Sequence, residues 1–574
     1  MESRAFKVAQ ASLQSGLTEQ TLGIAQFEWP APERFNWALD WFDAELARGP
    51  HAHKLALQIM GDQSTAITFV DMSARSNRIA NGLRSRGVRR GDRILLMLGN
   101  VAPLWEVMLA AMKLGAVVIP TTLLLTARDL TERIERARVQ HLIVTDSEVH
   151  KFADAPPHVQ RICTGTAPPG WVAFDSLRNA PAEFQPDDET HPDDPMLLYF
   201  TSGTTARPKM VLHSHRSYPV GHLATMYWMG AKPGDIHMTI GAPGWAGHTF
   251  MAFFGPWNAG ATVMLLNQPR FDAQAILDTL VTQQVSSFFA PPTVWRMLLQ
   301  HPLRQWRVAL REAVSAGEPL NPEVIEQVQR AWGVLVRDGW GQTEATVQIA
   351  NAPGQPVRIG SLGRELPGCK IAVLDENDQE ASEGELALPL KPRPPGLMLG
   401  YLQEDGSLLP LQGAYYRTGD AVRRDTDGTF TYIGRVDDVF KSSDYRISPF
   451  ELESVLIEHP AVVEAAVIPS PDPVRLVVPK AFIALSSECP PNSDTALSIF
   501  QHIRVRLAPY KRIRRLAFTE LPKNVAGKIR RVELRQSEAQ RGNAKLQGEF
   551  DEGDFPELTA PHSGTEPPHK TRLR

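Results

Sequence analysis

The chain has 574 residues, of which 43% are hydrophobic and 22% are charged, and its formal net charge is -4. This length suffices for about two to four domains with sizeable buried cores. The near balance of 60 basic and 64 acidic residues creates no overall positive field, which argues against a nucleic-acid partner. Cys163, Cys369 and Cys489 lie far apart and form no CxxC pair, which argues against a disulfide framework or zinc knuckle and favours a reducing compartment.

The N-terminal region shows no pattern of targeting or membrane insertion. Residues 1–26 lack the basic start, the apolar run and the small-residue cleavage site of a secretion signal. The longest apolar region, residues 95–120, is interrupted by Asn100, Glu106 and Lys113, whereas a membrane span needs about 20 mostly apolar residues. We therefore expect a cytoplasmic protein without a membrane span, in which this region forms buried helix and strand.

Short apolar runs alternate with stretches of helical periodicity over most of the chain. The strand candidates are residues 93–97, 140–144 and 261–266, and the helix candidates are residues 73–85, 105–114 and 273–284. This alternation predicts an α/β fold with layered subdomains, in which parallel-rich mixed sheets are covered by helices.

The sequence changes character after about Gly434. A charged run, residues 435–441, precedes a compact segment in which Ser448, Pro449 and Glu451 form the capping-box pattern of a helix start. The runs 465–468 and 481–485 predict strands of the same small α+β domain. We therefore expect a large domain over 1–434 and a small domain over 435–541. Residues 542–574 are rich in Gly, Pro, Glu and Lys without periodicity, which predicts a disordered tail.

An apolar strand candidate leads into a hydroxyl-rich loop with one lysine. The loop reads Thr201, Ser202, Gly203, Thr204, Thr205, Ala206, Arg207, Pro208 and Lys209. Its hydroxyls and backbone NH groups can donate to phosphate oxygens, and Lys209 adds a point charge. The loop is not a Walker A motif, because Pro208 rather than glycine precedes Lys209. Taken alone, it is compatible with a polyphosphate site or with a surface turn.

Three further segments carry groups that suit a nucleotide. The first, which offers a carboxylate of the kind that holds Mg²⁺, reads Asp338, Gly339, Trp340, Gly341, Gln342, Thr343 and Glu344. The second, residues 416–420, ends in Asp420, a carboxylate after a turn that suits two ribose hydroxyls. The third, residues 521–529, places Lys528 after a glycine in a loop. Each segment alone is compatible with a turn, but their order and separation are specific.

With these motifs the chain resembles the adenylate-forming (ANL) superfamily of acyl-CoA synthetases, nonribosomal peptide adenylation domains and luciferases. Within it, the chain resembles the medium-chain acyl-CoA synthetases, from about residue 32 to about residue 535. Residues 315–320 and 434–438 also match the patterns of the superfamily. The resemblance implies a carboxylate that attacks the α-phosphate of ATP, which yields pyrophosphate and an acyl-adenylate, and a thiol that then displaces AMP.

The resemblance also implies roles for individual residues. Residues 201–209 would bind the β and γ phosphates, with Thr201 and Lys209 acting in catalysis, and Glu344 would bind Mg²⁺. Asp420 and Arg435 would hold the ribose, and Lys528 would bridge the carboxylate and the α-phosphate. The implied ATP and AMP site further includes Gly317, Glu318, Pro319, Asp338, Gly339, Trp340, Gly341, Gln342, Thr343 and Arg446. The small domain would be mobile and rotate between the half-reactions, with Asp437 at its hinge.

Two positions depart from the superfamily pattern. Ala206 stands where glycine is usual, and we expect activity to survive because the side chain stays small. Asp444 also replaces a glycine, next to the path expected for pantetheine, where a carboxylate could narrow the tunnel or repel CoA phosphates. The candidate CoA contacts are Ser443, Asp444, Tyr445 and Arg475, of which Arg475 is equally compatible with an exposed turn.

The sequence indicates the residues of the acyl pocket less specifically than those of the nucleotide site. Trp245, His248 and Gly317 are the candidate lining residues. The aromatic residues that follow suit an apolar pocket, but such a run is more often ordinary core. The histidines near this region share no metal-ligand spacing, so the implied metal is Mg²⁺ bound with ATP rather than a catalytic zinc.

The sequence therefore predicts an AMP-forming acyl-CoA synthetase of fatty acid metabolism that uses ATP, Mg²⁺ and CoA. The acid would be short- to medium-chain, branched or small aromatic. Two alternatives stay open: adenylation followed by transfer to a carrier-protein thiol, and an inactive nucleotide-binding sensor. The retained residues Lys209, Glu344, Asp420, Arg435 and Lys528 argue against the sensor. The sequence does not indicate whether the protein is a monomer or an oligomer.

Overall fold

A computed structural model describes residues 3–17, 27–61, 64–201, 207–268, 270–318, 320–442, 445–472, 476–523, 528–541, 545–546 and 548–558. The chain divides into two compact units. Unit 1 comprises Met1–Thr418 and Val422–Tyr432, and unit 2 comprises Gly419–Ala421 and Ile433–Arg574.

The α-helices of unit 1 follow in chain order. They are α1 Ser3–Gly16, α2 Phe69–Ser85, α3 Ala102–Leu114, α4 Ala127–Arg136, α5 Ser217–Met229, α6 Ala246–Thr249, α7 Gly255–Ala259, α8 Ala273–Thr282, α9 Pro292–Leu298 and α10 Pro322–Trp332. Residues Ala38–Leu46 and Phe250–Phe254 are π-helical, and Asp146–Phe152, Phe174–Asn179 and Leu303–Gln305 are 3₁₀-helical. Helix α4 begins at a capping box formed by Thr126 and Asp129.

Strands alternate with these helices as far as α10 and follow one another after it. They are β1 Leu55–Met60, β2 Thr65–Thr68, β3 Arg93–Met97, β4 Val117–Pro120, β5 His141–Thr145, β6 Gln160–Thr164, β7 Val172–Ala173, β8 Pro195–Thr201, β9 Lys209–Ser214, β10 Ile236–Thr239, β11 Thr262–Leu266, β12 Ser287–Phe289, β13 Glu312–Ala316, β14 Val336–Gln342, β15 Ala345–Ala350, β16 Arg364–Glu365, β17 Ala372–Leu374, β18 Glu383–Pro389, β19 Gly400–Leu402, β20 Leu408–Pro410, β21 Tyr415–Arg424 and β22 Phe430–Arg435. The last two, β21 and β22, each include residues of unit 2.

Two nine-stranded mixed sheets form the frame of unit 1. One has the order β16-β15-β14-β13-β12-β10-β11-β1-β2 and the other the order β20-β19-β9-β8-β4-β3-β5-β6-β7. The first sheet is parallel in the middle and antiparallel at both edges, whereas the second is antiparallel from β20 to β8 and parallel from there to β7. Strands such as β4 are buried along their whole length, as expected where helices cover both faces. A four-stranded sheet has the order β17-β18-β21-β22. The predicted layered α/β fold is confirmed.

The long apolar region forms β3, α3 and β4, and its two charged interruptions, Glu106 and Lys113, form ion pairs. Glu106 on α3 is fully buried and lies 2.8 Å from Arg178. Lys113 near the end of the same helix lies 2.7 Å from Asp43. Buried charges are tolerated when they are paired in this way. In the described part of the chain, no helix is both long and apolar enough to cross a membrane.

Unit 2 is a smaller α+β unit. Its helices are α11 Pro449–Ile457, α12 Ser493–Arg506 and α13 Arg531–Arg541, and its strands are β23 Phe440–Ser442, β24 Tyr445–Ile447, β25 Val462–Asp472, β26 Leu476–Leu485, β27 Arg515–Phe518 and β28 Glu549–Asp551. Strands β23 and β24 form a two-stranded sheet, and β25-β26-β27-β28 form a four-stranded one. Ser448 accepts a hydrogen bond from the Glu451 NH at 3.1 Å, so the predicted start of α11 is confirmed.

The prediction of disorder beyond residue 541 is wrong for residues 548–558. Strand β28 pairs with β27, and Glu549 on β28 lies 2.8 Å from the buried amine of Lys480. Phe555 and Leu558 pack into the core of unit 2. These apolar residues are few in a polar stretch, so composition alone does not show that they bury surface against a sheet.

Candidate functional site

The predicted phosphate loop connects the paired strands β8 and β9. Thr201 at the end of β8 lies directly opposite Lys209 at the start of β9 in the antiparallel register. Lys209 is exposed, and the buried Thr201 Oγ1 has no hydrogen-bond partner among the residues that the structure describes. Ser202, Gly203, Thr204, Thr205 and Ala206 lie outside the described residues. A hydroxyl residue, Thr201, and an ammonium residue, Lys209, are therefore neighbours at the base of the loop.

Helix α4 supports the far side of this hairpin. Arg136 donates from Nη2 to the carbonyl oxygen of Pro208 at 2.8 Å and from Nε approaches the Glu404 carboxylate at 3.0 Å. Arg207 lies 3.4 Å from the same carboxylate. These contacts fix the backbone at Arg207 and Pro208, where the loop enters β9.

The second predicted motif runs along β14 into the turn that precedes β15. Its two glycines are required by close packing. A Cβ at Gly339 would lie 2.7 Å from the Trp228 ring, and one at Gly341 would lie 2.7 Å from the Thr346 carbonyl oxygen. Any side chain at either position would therefore push these elements apart. Trp340, between the glycines, is buried.

Asp338 links this motif to the loop after β13. Ser315 and Ala316 on β13 pair with Asp338 and Gly339 on β14. The Asp338 carboxylate accepts hydrogen bonds from the backbone NH of Leu320 at 3.0 Å and of Gly339 at 2.9 Å. Burial raises the pKa of Asp338 to about 7, against the opposing effect of these two hydrogen bonds.

The loop after β13 contains three predicted site residues. Gly317 is exposed and has a φ of 99°, a conformation that favours glycine. Glu318 is half-buried, and Pro319 lies outside the described residues. The register between β13 and β14 thus brings Gly317 and Glu318 next to the start of the second motif.

The turn that holds Thr343 and Glu344 is fixed through a backbone carbonyl. The Thr343 oxygen accepts a hydrogen bond from His213 Nε2 at 2.7 Å and one from the Tyr218 hydroxyl at 3.2 Å. Burial lowers the pKa of His213 to about 3, so the ring is neutral and carries its proton on Nε2. The Ser217 hydroxyl lies 2.9 Å from its Nδ1. Nothing in the sequence pattern around His213 indicates this contact.

Strand β19 brings the two motifs together. The hydroxyl of Tyr401 lies 3.4 Å from Glu344 Oε1, and the Lys209 ammonium lies 5.0 Å from the centre of the Tyr401 ring. The backbone NH of Met398, just before this strand, donates to the Glu344 carbonyl at 2.8 Å. Thr201, Lys209 and Glu344 thus belong to one local arrangement in unit 1. Tyr401 is a contact that sequence reasoning missed.

These residues fit a nucleotide with a hard cation. A buried hydroxyl oxygen with no partner in the described region, next to an exposed ammonium, matches the needs of phosphate oxygens. A carboxylate is the type of ligand that Mg²⁺ prefers. The motif residues also follow or occupy the ends of β8, β13 and β14, which is where ligands bind in open α/β sheets.

The predicted acyl-pocket residues lie on and beside the short helix α6. Trp245 is half-buried and precedes the helix. His248 is buried, with Nε2 3.0 Å from Asn100 Oδ1, and burial lowers its pKa to about 3. The following Phe253 and Trp257 pack into the core around Trp37. That part of the aromatic run is therefore core rather than pocket wall.

Unit 2 brings two of its predicted site residues together. Arg435 Nη1 lies 3.1 Å from Asp420 Oδ1. Gly419 has a φ of 74°, and a Cβ there would lie 2.3 Å from the Arg435 guanidinium. A glycine at this position therefore allows the arginine to reach the carboxylate. Asp437 is exposed in the turn after β22.

Lys528 lies in a loop whose base is closed. Lys523 and Ile529 form an isolated antiparallel bridge, and the Arg530 NH donates to the Pro522 carbonyl at 2.8 Å. Lys523 also pairs with Glu464 at 2.6 Å. Lys528 itself is exposed, and residues 524–527 lie outside the described residues. The loop thus presents Lys528 to solvent on the surface of unit 2.

The candidate CoA contacts cannot be placed in the same way. Ser443, Asp444 and Arg475 lie outside the described residues. Tyr445 and Arg446 are described through their backbone on β24, where Arg446 pairs with Lys441. Their side-chain roles stay predictions.

Comparison with known proteins identifies the family. The pattern described as "AMP-binding enzyme" matches residues 42–402, and that described as "AMP-binding enzyme C-terminal domain" matches residues 451–528. A 4-hydroxybutyrate–CoA ligase of Metallosphaera sedula is 38% identical over 91% of this chain and 93% of its own. Acyl-coenzyme A synthetase ACSM3 of Mus musculus, named as mitochondrial, is 35% identical over 89% and 92%.

A solved structure shows the same architecture. The crystal structure of the anthranilate CoA ligase AuaEII in complex with anthranoyl-AMP has a TM-score of 0.80 and 29% identity, and it covers 89% of this chain and 98% of its own. These similarities show that the chain shares the family of these proteins and not only their fold. The chain belongs to the AMP-binding enzymes and, within them, to the AMP-forming acyl-CoA ligases.

Proposed function

We propose that this protein is an ATP-dependent acyl-CoA synthetase for a short- to medium-chain, branched or small aromatic carboxylic acid. It would convert the acid, ATP and CoA into acyl-CoA, AMP and pyrophosphate through an acyl-adenylate. The observation that carries the proposal is the arrangement of Thr201, Lys209 and Glu344 around Tyr401. Such an arrangement suits a metal-bound triphosphate.

The charges of the two substrates explain why cationic groups are needed. A carboxylate and a triphosphate repel each other by roughly 4 kcal/mol at 4 Å for an effective dielectric of 20. We propose that Lys209 and the Thr201 hydroxyl bind the β and γ phosphates, and that Glu344 holds Mg²⁺. Bound Mg²⁺ would neutralise phosphate charge and orient the pyrophosphate leaving group.

Unit 2 supplies the remaining proposed groups. Asp420, oriented by Arg435 at 3.1 Å, would accept hydrogen bonds from the ribose hydroxyls. Lys528 would donate to the attacking carboxylate and the α-phosphate, where negative charge redistributes in the transition state. Asp437 would serve as the hinge between the half-reactions, as in the superfamily that the sequence resembles.

The acid and the acceptor are proposed from the relatives. Their names give 4-hydroxybutyrate and anthranilate as acids and CoA as the thiol. A small or medium-sized acid is therefore the class to test first, with Trp245, His248 and Gly317 proposed at its pocket. A cytoplasmic location stays a prediction, since one relative is named as mitochondrial.

A panel of carboxylic acids tests the proposal. The enzyme would be incubated with ATP, Mg²⁺ and each acid, with and without CoA, and pyrophosphate, AMP and acyl-CoA would be followed by mass spectrometry. We expect acyl-CoA with one class of acids. Pyrophosphate release without acyl-CoA would indicate a carrier-protein thiol as the acceptor. Nucleotide binding with no turnover of any acid would support the sensor alternative.

A further inference from the structure

Tyr401 touches two groups that the proposed function assigns to different parts of one ligand. Its hydroxyl lies 3.4 Å from Glu344 Oε1, and its ring lies under the Lys209 ammonium at 5.0 Å from the ring centre to Nζ. Glu344 is proposed to hold the metal, and Lys209 is proposed to hold the phosphates. The hydroxyl of Tyr401 therefore contacts the proposed metal ligand, and its ring contacts the proposed phosphate ligand.

The register of β19 accounts for this placement. Tyr401 lies opposite Val211 on β9 and opposite Leu409 on β20. Lys209 is two residues from Val211 on the same strand, so Lys209 and Tyr401 are diagonal neighbours on one face of the sheet. Since Thr201 faces Lys209 across the next strand pair, these side chains follow one line across three strands.

The segment before β19 is hydrogen-bonded to the turn that holds Glu344. The Met398 NH donates to the Glu344 carbonyl at 2.8 Å, and Ala345 forms an isolated bridge with Leu397. The Glu344 turn and the Tyr401 strand are therefore connected through backbone hydrogen bonds. A tyrosine held in this way can orient the carboxylate without losing its position.

The two contacts differ in chemistry. A phenol hydroxyl that donates to a carboxylate oxygen restricts the direction in which that carboxylate presents its lone pairs. An aromatic face attracts an ammonium through the negative potential above the ring. Removal of the hydroxyl should therefore affect the metal ligand, and removal of the ring should affect the lysine as well.

We propose that Tyr401 is a positioning residue that orients Glu344 toward a divalent cation through its hydroxyl and holds Lys209 toward the triphosphate through its ring. This inference rests on the proposed function, because it takes the ligands of Glu344 and Lys209 from it. It adds a residue that couples the metal site to the phosphate site.

Two substitutions separate the two contacts. Tyr401→Phe keeps the ring and removes the hydroxyl, whereas Tyr401→Leu removes both. Tyr415→Phe is the matched control, because Tyr415 packs against the separate cluster of Ala372, Leu374 and Ala387. Melting temperatures establish that all three variants are folded before binding is compared.

Binding is measured without turnover. Mn²⁺ binding to the complex of the enzyme with a non-hydrolysable ATP analogue is followed by electron paramagnetic resonance, and binding of the analogue alone, in EDTA, by titration calorimetry. Tyr401→Phe should weaken Mn²⁺ binding about five- to tenfold and leave metal-free nucleotide binding unchanged. Tyr401→Leu should weaken both by about that factor.

The outcomes separate this inference from the proposed function. Wild-type Mn²⁺ affinity in Tyr401→Phe, or wild-type metal-free affinity in Tyr401→Leu, would overturn the positioning role even if the wild-type enzyme forms acyl-CoA. Conversely, the expected split in binding combined with no acyl-CoA from any acid would overturn the synthetase proposal and retain the role of Tyr401. Failure of the wild-type protein to bind the analogue would overturn both.

Discussion

Thr201 and Lys209 lie directly opposite each other across the antiparallel strands β8 and β9, so the loop between them starts and ends at one point. A hydroxyl and an ammonium at this point form a compact donor pair for an anion. The arrangement differs from a Walker A loop, in which glycine precedes the lysine. It makes Lys209 the first residue to test in unit 1.

Replacement of Lys209 should mainly affect ATP use. We expect Lys209→Met to lower kcat/KM for ATP by about 10² to 10³, the usual effect of losing one preorganised donor to developing charge. Lys209→Arg should retain part of the activity, because the charge remains while the geometry changes. Steady-state kinetics with varied ATP measure both. Wild-type kcat/KM in Lys209→Met would contradict the assignment.

The carbonyl of Thr343 gives a second prediction. His213→Leu removes the 2.7 Å donor and leaves the half-buried carbonyl oxygen with the longer Tyr218 contact. We expect a loss of stability of about 1–3 kcal/mol and a fall in kcat, because the Glu344 turn loosens.

His213→Gln is the conservative control for this contact, since its amide can donate to the same oxygen. It should recover part of both losses in melting and activity assays. Because the pKa of His213 is lowered to about 3, this contact should cause no pH dependence between about pH 5 and pH 9. Equal losses in the Leu and Gln variants would show that ring packing, rather than the donor, is what matters.

Asp338 predicts a pH dependence of stability. Burial raises its pKa to about 7 in the folded protein, whereas an unfolded aspartate titrates near 3.9. Between these values the folded state binds more protons than the unfolded state, so this carboxyl lowers stability progressively as pH rises to about 7 and no further above it. The slope can reach about 1.4 kcal/mol per pH unit.

Asp338→Asn removes this titration. Melting temperatures of the variant and the wild type should be compared at steps from pH 5 to pH 8. We expect the melting temperature of Asp338→Asn to rise relative to that of the wild type as the pH increases to about 7, and the difference to stay constant above that pH. Parallel curves over the whole range would mean that the carboxyl does not titrate there.

Lys528 should distinguish the two half-reactions. We expect Lys528→Ala to reduce acyl-adenylate formation by about 10² or more, since it loses a donor in that transition state. Thioester formation from supplied acyl-adenylate should change much less. Lys523→Ala is the matched control, because Lys523 lies in the same loop and pairs with Glu464. Equal loss of both half-reactions in Lys528→Ala would refute the assigned role.

Much of the fold follows from local sequence patterns. Strand β3 and helix α3 are predictable because interior parallel strands are uniformly apolar and helices repeat every 3.6 residues. The partners of Glu106 and Lys113 are not predictable in this way, because Arg178 and Asp43 lie far away in sequence. Strand β28 is missed for a related reason, since its pairing with β27 is a property of the folded sheet.

The residues of the candidate site also fall into those that local sequence motifs predict and those that depend on contacts between distant segments. Thr201, Lys209 and Glu344 are predictable because each stands in a motif of suitable chemistry. Tyr401 and His213 act through strand register and through contacts across more than a hundred residues, such as the 130-residue separation between His213 and Thr343. One sequence contains no signal for such pairs.

The central claim is that a carboxylate oxygen attacks the α-phosphate of ATP. The most direct test uses an accepted acid labelled with ¹⁸O in both carboxylate oxygens, together with ATP, Mg²⁺ and CoA, and measures the mass of the nucleotide product. The account predicts AMP that carries one ¹⁸O, because the attacking oxygen leaves with AMP when the thiol displaces it. Unlabelled AMP, or ADP with the label in inorganic phosphate, would contradict it.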